Sequence, residues 1–585
     1  MNVAAVKRWL ALALFAAQFA LLDLCLRARV ALGAPRAFVA SAALSVGLWV
    51  LAASLAERRA ARAGIAFVAG WLVVLQVLFF RYYHVFLDDD ALHAARHMWS
   101  DVRPVVLRML PAASAMAIAV AALEFALLSF AQRVKRRGRV ACGAIAIAAL
   151  LLLPTIREAS PDLAAIGALR VFARTHEARA ASSVAIDPLA TQRAELPNVL
   201  FVLDESVRAS DYDDGTAPET AALTKDRVDL REARSVASYT SICVSSLLTS
   251  RPPTETDAAL DRAPYVFDFA RAVHRMNQRV HVAYFSAQTD SLFERRDVRT
   301  ATDVFVTVDD LVGHRVGDLD DVIDLGVDRM LASRIERDLP RLEKPFFAMV
   351  HLSGTHAPYF VDDARAPFKP YRHSVTWSGL QELHAAYRDS IFAQDASVAR
   401  IVRAFFAASG DAPALVVFTS DHGEAFGEHS AIHHGQSLYD EQIHVPMWIL
   451  AKNGALDAEK LGALASHEDD FVTHLDVLPT LLDAYGVLDS FGMREWSQKL
   501  AGRSLLRAER APEIVPLTNC TEMFPCPVKT WGVMSGRHEL VAQAWDGAWH
   551  CVDLATGATE SDPSCAMLRD ASRAFFPTMP NGQPN

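Results

Sequence analysis

No small-residue cleavage site follows the first apolar run of this sequence, no basic face shows in its charge, and no zinc-ribbon spacing links its cysteines. The first absence argues against a cleavable signal peptide, as do four further apolar runs downstream. The second argues against nucleic acid as a partner. Lys and Arg number 58 against 68 Asp and Glu, a net charge of -10, whereas nucleic-acid binding usually shows as a basic face. The third bears on seven cysteines. Cys25 and Cys142 sit in apolar runs, Cys243 stands alone mid-chain, and Cys520, Cys526, Cys551 and Cys565 cluster near the C-terminus. Their spacing is not that of a zinc ribbon. Disulfides in an oxidising compartment are expected instead, with Cys520–Cys526 and Cys551–Cys565 one of three possible pairings.

Long hydrophobic runs are also missing from nearly everything after about residue 155, although 52% of the chain is hydrophobic. They are concentrated in five segments, roughly 9–27, 38–56, 65–86, 112–131 and 139–155. Most reach the ~20 residues a membrane-spanning helix needs, so residues 1–156 are read as a transmembrane domain of five helices. Positive charge orients it. Lys7 and Arg8, then Arg58, Arg59 and Arg62, then Arg133, Lys135, Arg136, Arg137 and Arg139 share one side, which is the cytoplasm. Asp88, Asp89 and Asp90 fall on the other side, and Arg27, Arg29 and Arg36 are outweighed. Five spans with the N-terminus inside place the rest of the chain outside, the compartment the cysteine cluster also requires. Asp23 and Glu124 lie within apolar runs and are candidates for function or for helix packing.

Residues 157–197 are Ala-rich, polar and proline-punctuated, and suit a linker along the membrane surface. Residues 198–585 read as a catalytic domain of α/β class. Asn198-Val-Leu-Phe-Val-Leu-Asp204 is an apolar run of strand length that ends in acids, with Glu205 next. Leu415–Ser420 leads directly into Asp421 and His422, Phe346–His351 leads toward His356, and Arg279–Phe285 is a fourth strand. Helical patterns separate them, which predicts a mainly parallel sheet. Sites in such sheets lie at the carboxyl ends of strands. Each acid or His alone is more simply a cap or turn residue. Together they are the hard and borderline ligands that a catalytic zinc site gathers from separate elements.

The region from about 196 to 560 resembles the alkaline phosphatase/sulfatase superfamily. Glu205-Ser-Val-Arg208 is similar to the first metal motif of membrane phosphoethanolamine transferases. Thr240-Ser-Ile-Cys-Val-Ser-Ser-Leu-Leu-Thr-Ser-Arg251 has the spacing of the sulfatase signature, with Thr240 in the nucleophile's place. Asp421-His-Gly-Glu through His434-Gly435 resembles the second metal motif and its downstream histidine, with His433 an alternative to His434. The resemblance implies a doubly wound sheet and zinc, one ion or two, on Glu205, Thr240, Asp421 and His422. It also implies Thr240 as nucleophile and His356 and His434 as proton carriers. Formylglycine, which sulfatases make from Cys or Ser, cannot form from Thr240, so a threonine alkoxide attacking phosphorus is the expected chemistry. Thr240 could equally cap the helix that follows, and the roles are compatible, because a helix N-terminus stabilises phosphate.

The implied enzyme is a multi-pass protein of the bacterial inner membrane with a periplasmic catalytic domain. It would transfer a phosphoethanolamine-type head group from a phospholipid donor to lipid A or a glycan. Phe79–Phe86 resembles phosphoglycerol transferases as much, and a phosphodiesterase or sulfatase-like hydrolase on the same scaffold stays open.

Overall fold

The computed structural model describes residues 3–28, 35–83, 86–88, 91–92, 99–131, 160–168, 184–260, 262–289, 298–316, 320–373, 375, 377–508, 514–520, 529–543, 549–559 and 563–576. Among these, four helices are long and apolar enough to cross a membrane: α1 (Val3–Leu26), α2 (Pro35–Leu55), α3 (Arg59–Tyr83) and α4 (Trp99–Ala131). They match the first four expected spans. The fifth, 139–155, lies outside the described residues. Three helices begin six or more residues before the apolar runs that predicted them, α1 among them at Val3. The helix α3 begins at Arg59, where Arg and Ala are good helix formers whether or not they are apolar, and α4 begins at Trp99, although its first turns contain Pro104 and Pro111.

Two acids in this half are tied down by their neighbours. Asp23 accepts from Arg27 at 2.8 Å, and the Arg27 guanidinium lies over Phe86. The short helix α5 (Pro161–Ala168), within the stretch read as linker, packs on the spans through Asp162. Its carboxylate accepts from Ser45 Oγ at 2.9 Å, Trp49 Nε1 at 2.8 Å and Ser160 Oγ at 2.6 Å.

The second half is built on a seven-stranded sheet. Its strands are β1 (Asn198–Asp204), β2 (Val228–Asp229), β3 (His281–Ser286), β4 (Val304–Val306), β5 (Phe346–His351), β6 (Ala414–Ser420) and β7 (Met447–Lys452). The order is β2-β7-β6-β1-β5-β3-β4. Neighbours from β6 to β4 pair in parallel, while β7 is antiparallel to both β6 and β2. All four expected strands are present. β1 shows why it is central. Val199, Phe201 and Leu203 enter the core on one face, and Leu200 and Val202 enter the core on the other. A strand covered on both faces must be apolar at every position, which is the continuous run seen in the sequence. The first face packs on α6 (Thr240–Thr249), the second on α7 (Val327–Asp338) and α8 (Leu380–Ser409).

A second sheet is an antiparallel meander of β8 (Val515–Thr518), β9 (Thr530–Ser535), β10 (His538–Gln543), β11 (Trp549–Asp553) and β12 (Ala558–Thr559). The helix α9 (Pro563–Phe575) covers it, clipped by the expected Cys551–Cys565 disulfide. Cys526 lies outside the described residues, so the Cys520–Cys526 pairing is not described.

Candidate metal centre and active site

Three polar segments converge where β1, β5 and β6 end. Glu205 follows β1, His351 closes β5, and Asp421 and His422 follow β6. Parallel pairing of these strands brings residues some 215 positions apart into contact, as the Ser206 N–Asp421 Oδ1 hydrogen bond of 2.9 Å shows. Thr240 enters from α6. It is the first helical residue, and Tyr239 holds the cap position. The Thr240 side chain therefore does not serve as the cap. Its hydroxyl donates to Glu205 Oε1 at 3.2 Å and lies 3.0 Å from His422 Nε2.

The donor atoms of Glu205, Asp421 and His422 lie within 4.8 Å of one another, and all three residues are buried. His422 Nε2 is 3.3 Å from Asp421 Oδ2 and 3.7 Å from Glu205 Oε1. A tetrahedral zinc ion with bonds of about 2.0–2.1 Å keeps its ligands about 3.3 Å apart. The spacing fits. So does the hydrogen bonding. His422 Nδ1 donates to Gly423 O at 2.9 Å, which leaves Nε2 bare toward Thr240. Asp421 Oδ2 is buried with no hydrogen-bond partner. The one hydroxyl proton of Thr240 cannot serve Nε2, Glu205 and Asp421 together.

Electrostatics point the same way. Burial, reinforced by the charge of His434, holds His422 down at about 3, so it is the neutral imidazole a metal needs. Burial opposes ionisation of Glu205, but the hydrogen bond with His351 and the nearby imidazoles hold it at about 2. Burial and the Glu205 charge push Asp421 well above the usual carboxylate range. Two carboxylates in one dry site cannot both ionise unless a cation joins them.

The two histidines expected to carry protons lie beside this group. The His434 ring is 4.3 Å from that of His422 and 5.5 Å from that of His356. Buried Glu424 contacts His434 Nδ1 at 3.2 Å and His433 Nδ1 at 3.1 Å. Burial works against a charge on His434, yet the Glu424 carboxylate raises its pKa. His433 also meets the Tyr359 hydroxyl at 3.1 Å, so of the two neighbours it is His434 that packs on the cluster. All six expected site residues are thus gathered in one place.

Other supports were not singled out from sequence. Gln288 Nε2 donates to Glu205 Oε2 at 2.9 Å. It follows β3 by two residues, so the rule that sites sit at strand ends could have found it. Asn519 brackets Ser238, accepting from its N–H at 2.7 Å and donating to its hydroxyl at 2.9 Å, and so braces the loop before Thr240. It follows β8 of the other sheet, and no local pattern marks it.

The sulfatase family model matches residues 197–487. The chain belongs to the sulfatase/alkaline phosphatase superfamily. The integral membrane lipooligosaccharide phosphoethanolamine transferase A (EptA) of Neisseria meningitidis has a similar structure. Its TM-score is 0.57 at 16% identity, covering 86% of this chain and 99% of that one. At that identity the likeness is one of fold. The phosphoethanolamine transferase EptA of Helicobacter pylori is 34% identical over 113 residues, 18% of this chain and 21% of its own. The low-salt glycan biosynthesis sulfotransferase of Haloferax volcanii is 30% identical over 162 residues, 27% of this chain and 38% of its own. The chain thus matches well under half the length of these curated relatives. What is established is a sulfatase-superfamily enzyme with apolar helices ahead of its α/β domain.

Proposed function

We propose that this chain is a membrane-bound, zinc-dependent transferase that moves a phosphoethanolamine-type head group from a phospholipid to an envelope acceptor, lipid A or a glycan. The observation that carries the reading is the Thr240 hydroxyl, at the start of α6 and 3.0–3.2 Å from His422 and Glu205. A threonine there is a phosphoryl acceptor and cannot become formylglycine. Glu205, Asp421, His422 and Thr240 Oγ1 would hold zinc, which when bound supplies Lewis-acid charge and lowers the hydroxyl pKa.

Thr240 gives up its proton to solvent, and its oxygen attacks the phosphorus of the donor diester. The bond from phosphorus to the diacylglycerol oxygen breaks, and His434 or His356 gives that oxygen a proton. The head group is then held as a diester on Thr240. The acceptor hydroxyl returns a proton to the same histidine, attacks phosphorus, and releases the Thr240 oxygen. The positive end of α6 favours the phosphoryl oxygens throughout. Apolar spans suit a lipid donor, and the charge pattern of the loops, together with a fifth span over 139–155, supports a site on the outer, periplasmic side of the inner membrane.

Phosphoglycerol transfer needs only a different head group, and a phosphodiesterase differs only in using water as the second acceptor. Membranes incubated with phospholipid labelled in its head group test all three. Transfer of the label to lipid A or glycan supports the proposal, a labelled glycerol phosphate adduct replaces the head group, and free head-group phosphate alone replaces the transferase with a hydrolase.

A further inference from the structure

The residue after Glu205 occupies backbone space that its type avoids. Ser206 has φ +57°, and a non-glycine residue persists in that left-handed conformation only where its surroundings over-determine it. Several hydrogen bonds do so here. Ser206 N donates to Asp421 Oδ1 at 2.9 Å, Ser206 Oγ to Glu205 Oε1 at 3.2 Å, and Val207 N to Ser420 Oγ at 2.7 Å. Two more meet at one atom. The Tyr387 hydroxyl donates to Ser206 O at 2.8 Å and accepts from Arg208 N at 2.8 Å. Tyr387 is fully buried on α8, with its ring against Phe426 at 4.9 Å and Tyr359 at 5.5 Å. Burial also pushes the phenol well above its ordinary range, so the donor keeps its proton.

We propose that Tyr387 is a positioning residue for the metal centre: its hydroxyl locks Ser206 in the left-handed turn that holds Glu205 and Asp421 in register. The inference rests on reading those acids as metal ligands. Without the hydroxyl, two buried backbone groups lose their partner. The turn then relaxes, and Ser206 N swings away from Asp421 Oδ1. Removing a partner that orients a ligand weakens metal binding by about 10–100-fold.

The test uses the full chain in detergent and reads the zinc dissociation constant by competition with a chromophoric chelator, with melting followed in parallel. Tyr387→Phe should bind zinc at least about ten-fold more weakly while remaining folded. Glycine adopts left-handed φ freely, so in a Ser206→Gly background the same change should cost less than about three-fold. Unchanged affinity in Tyr387→Phe, or an equal loss in both backgrounds, overturns the inference. If Tyr387→Phe does not fold, Ser206→Gly should bind zinc more tightly than Ser206→Ala, since both lack the hydroxyl and one keeps the turn. Equal affinity there overturns it too. A wild type that binds no zinc would instead fail the metal reading itself.

Discussion

Buried carboxylates occur in both halves of this molecule, and they are treated differently. Among the apolar helices, Asp162 receives three donors and Asp23 an arginine. At the strand ends, Asp421 keeps one oxygen without a partner, and Glu205 shares its site with a second acid and a bare imidazole nitrogen. A buried acid that only holds structure together is saturated by its surroundings, because an unmet lone pair costs about 1–3 kcal/mol. At the strand ends the shortfall falls where two acids and an imidazole face one another, which is what an arriving cation would meet.

The comparison is broken most directly at Thr240. Thr240→Ala should lower turnover by at least about a thousand-fold, the scale on which removing a nucleophile acts, while Glu205, Asp421 and His422 still retain much of the zinc. Peptide mass spectrometry after incubation with donor should find the adduct on the Thr240 peptide. An adduct on Ser241, or full activity in Thr240→Ala, would remove the assignment. Next in size are the ligands. Asp421→Ala and His422→Ala should each lose most of the bound zinc by elemental analysis, because each removes a carboxylate or imidazole and leaves only two such ligands beside the weaker Thr240 hydroxyl. Full occupancy in both would show that the unpartnered oxygen waits for something other than a metal.

In the other half, Asp162→Ala should leave zinc untouched but destabilise. It strands Ser45, Trp49 and Ser160 together, and about 2–3 kcal/mol is expected from loss of a charged acceptor. Melting in detergent and protease sensitivity near residue 168 would show it. Unchanged stability would mean that α5 is held by its apolar side chains alone.

The two halves also differed in how far they could be read in advance. Spans and strands were legible because each is written in consecutive residues: an apolar run for α1, another for β1. Glu205, Asp421 and His422 were legible because they directly follow such runs. Ser206 and Tyr387 were not. Nothing local marks a left-handed serine, and the hydroxyl that fixes it lies 181 positions away on α8. Asn519 and Asp162 escape for the same reason, since their partners are set by packing between distant elements. Register singled out Thr240, which stands at the start of α6, but whether it caps that helix was settled only by seeing Tyr239 in the cap position.

Glu124 sharpens the comparison because it stands between its two cases. It is 5% exposed on α4 and its Oε2 has no hydrogen-bond partner, as with Asp421. What it lacks is company. Among the described residues, the one group of His, Cys, Asp and Glu side chains close enough to share an ion is Glu205, Asp421 and His422. An unpartnered acid without companions is a cost the helix carries, so replacing it by an uncharged amide of the same shape should relieve rather than harm. Glu124→Gln is therefore expected to change stability by no more than about 1 kcal/mol, in the favourable direction, and to leave turnover within about two-fold. Melting and head-group transfer measured on the same detergent preparation would check both. A ten-fold loss of turnover with unchanged melting would place part of the reaction, or the path of its lipid donor, among the apolar helices, and the division between a holding half and a reacting half would no longer stand.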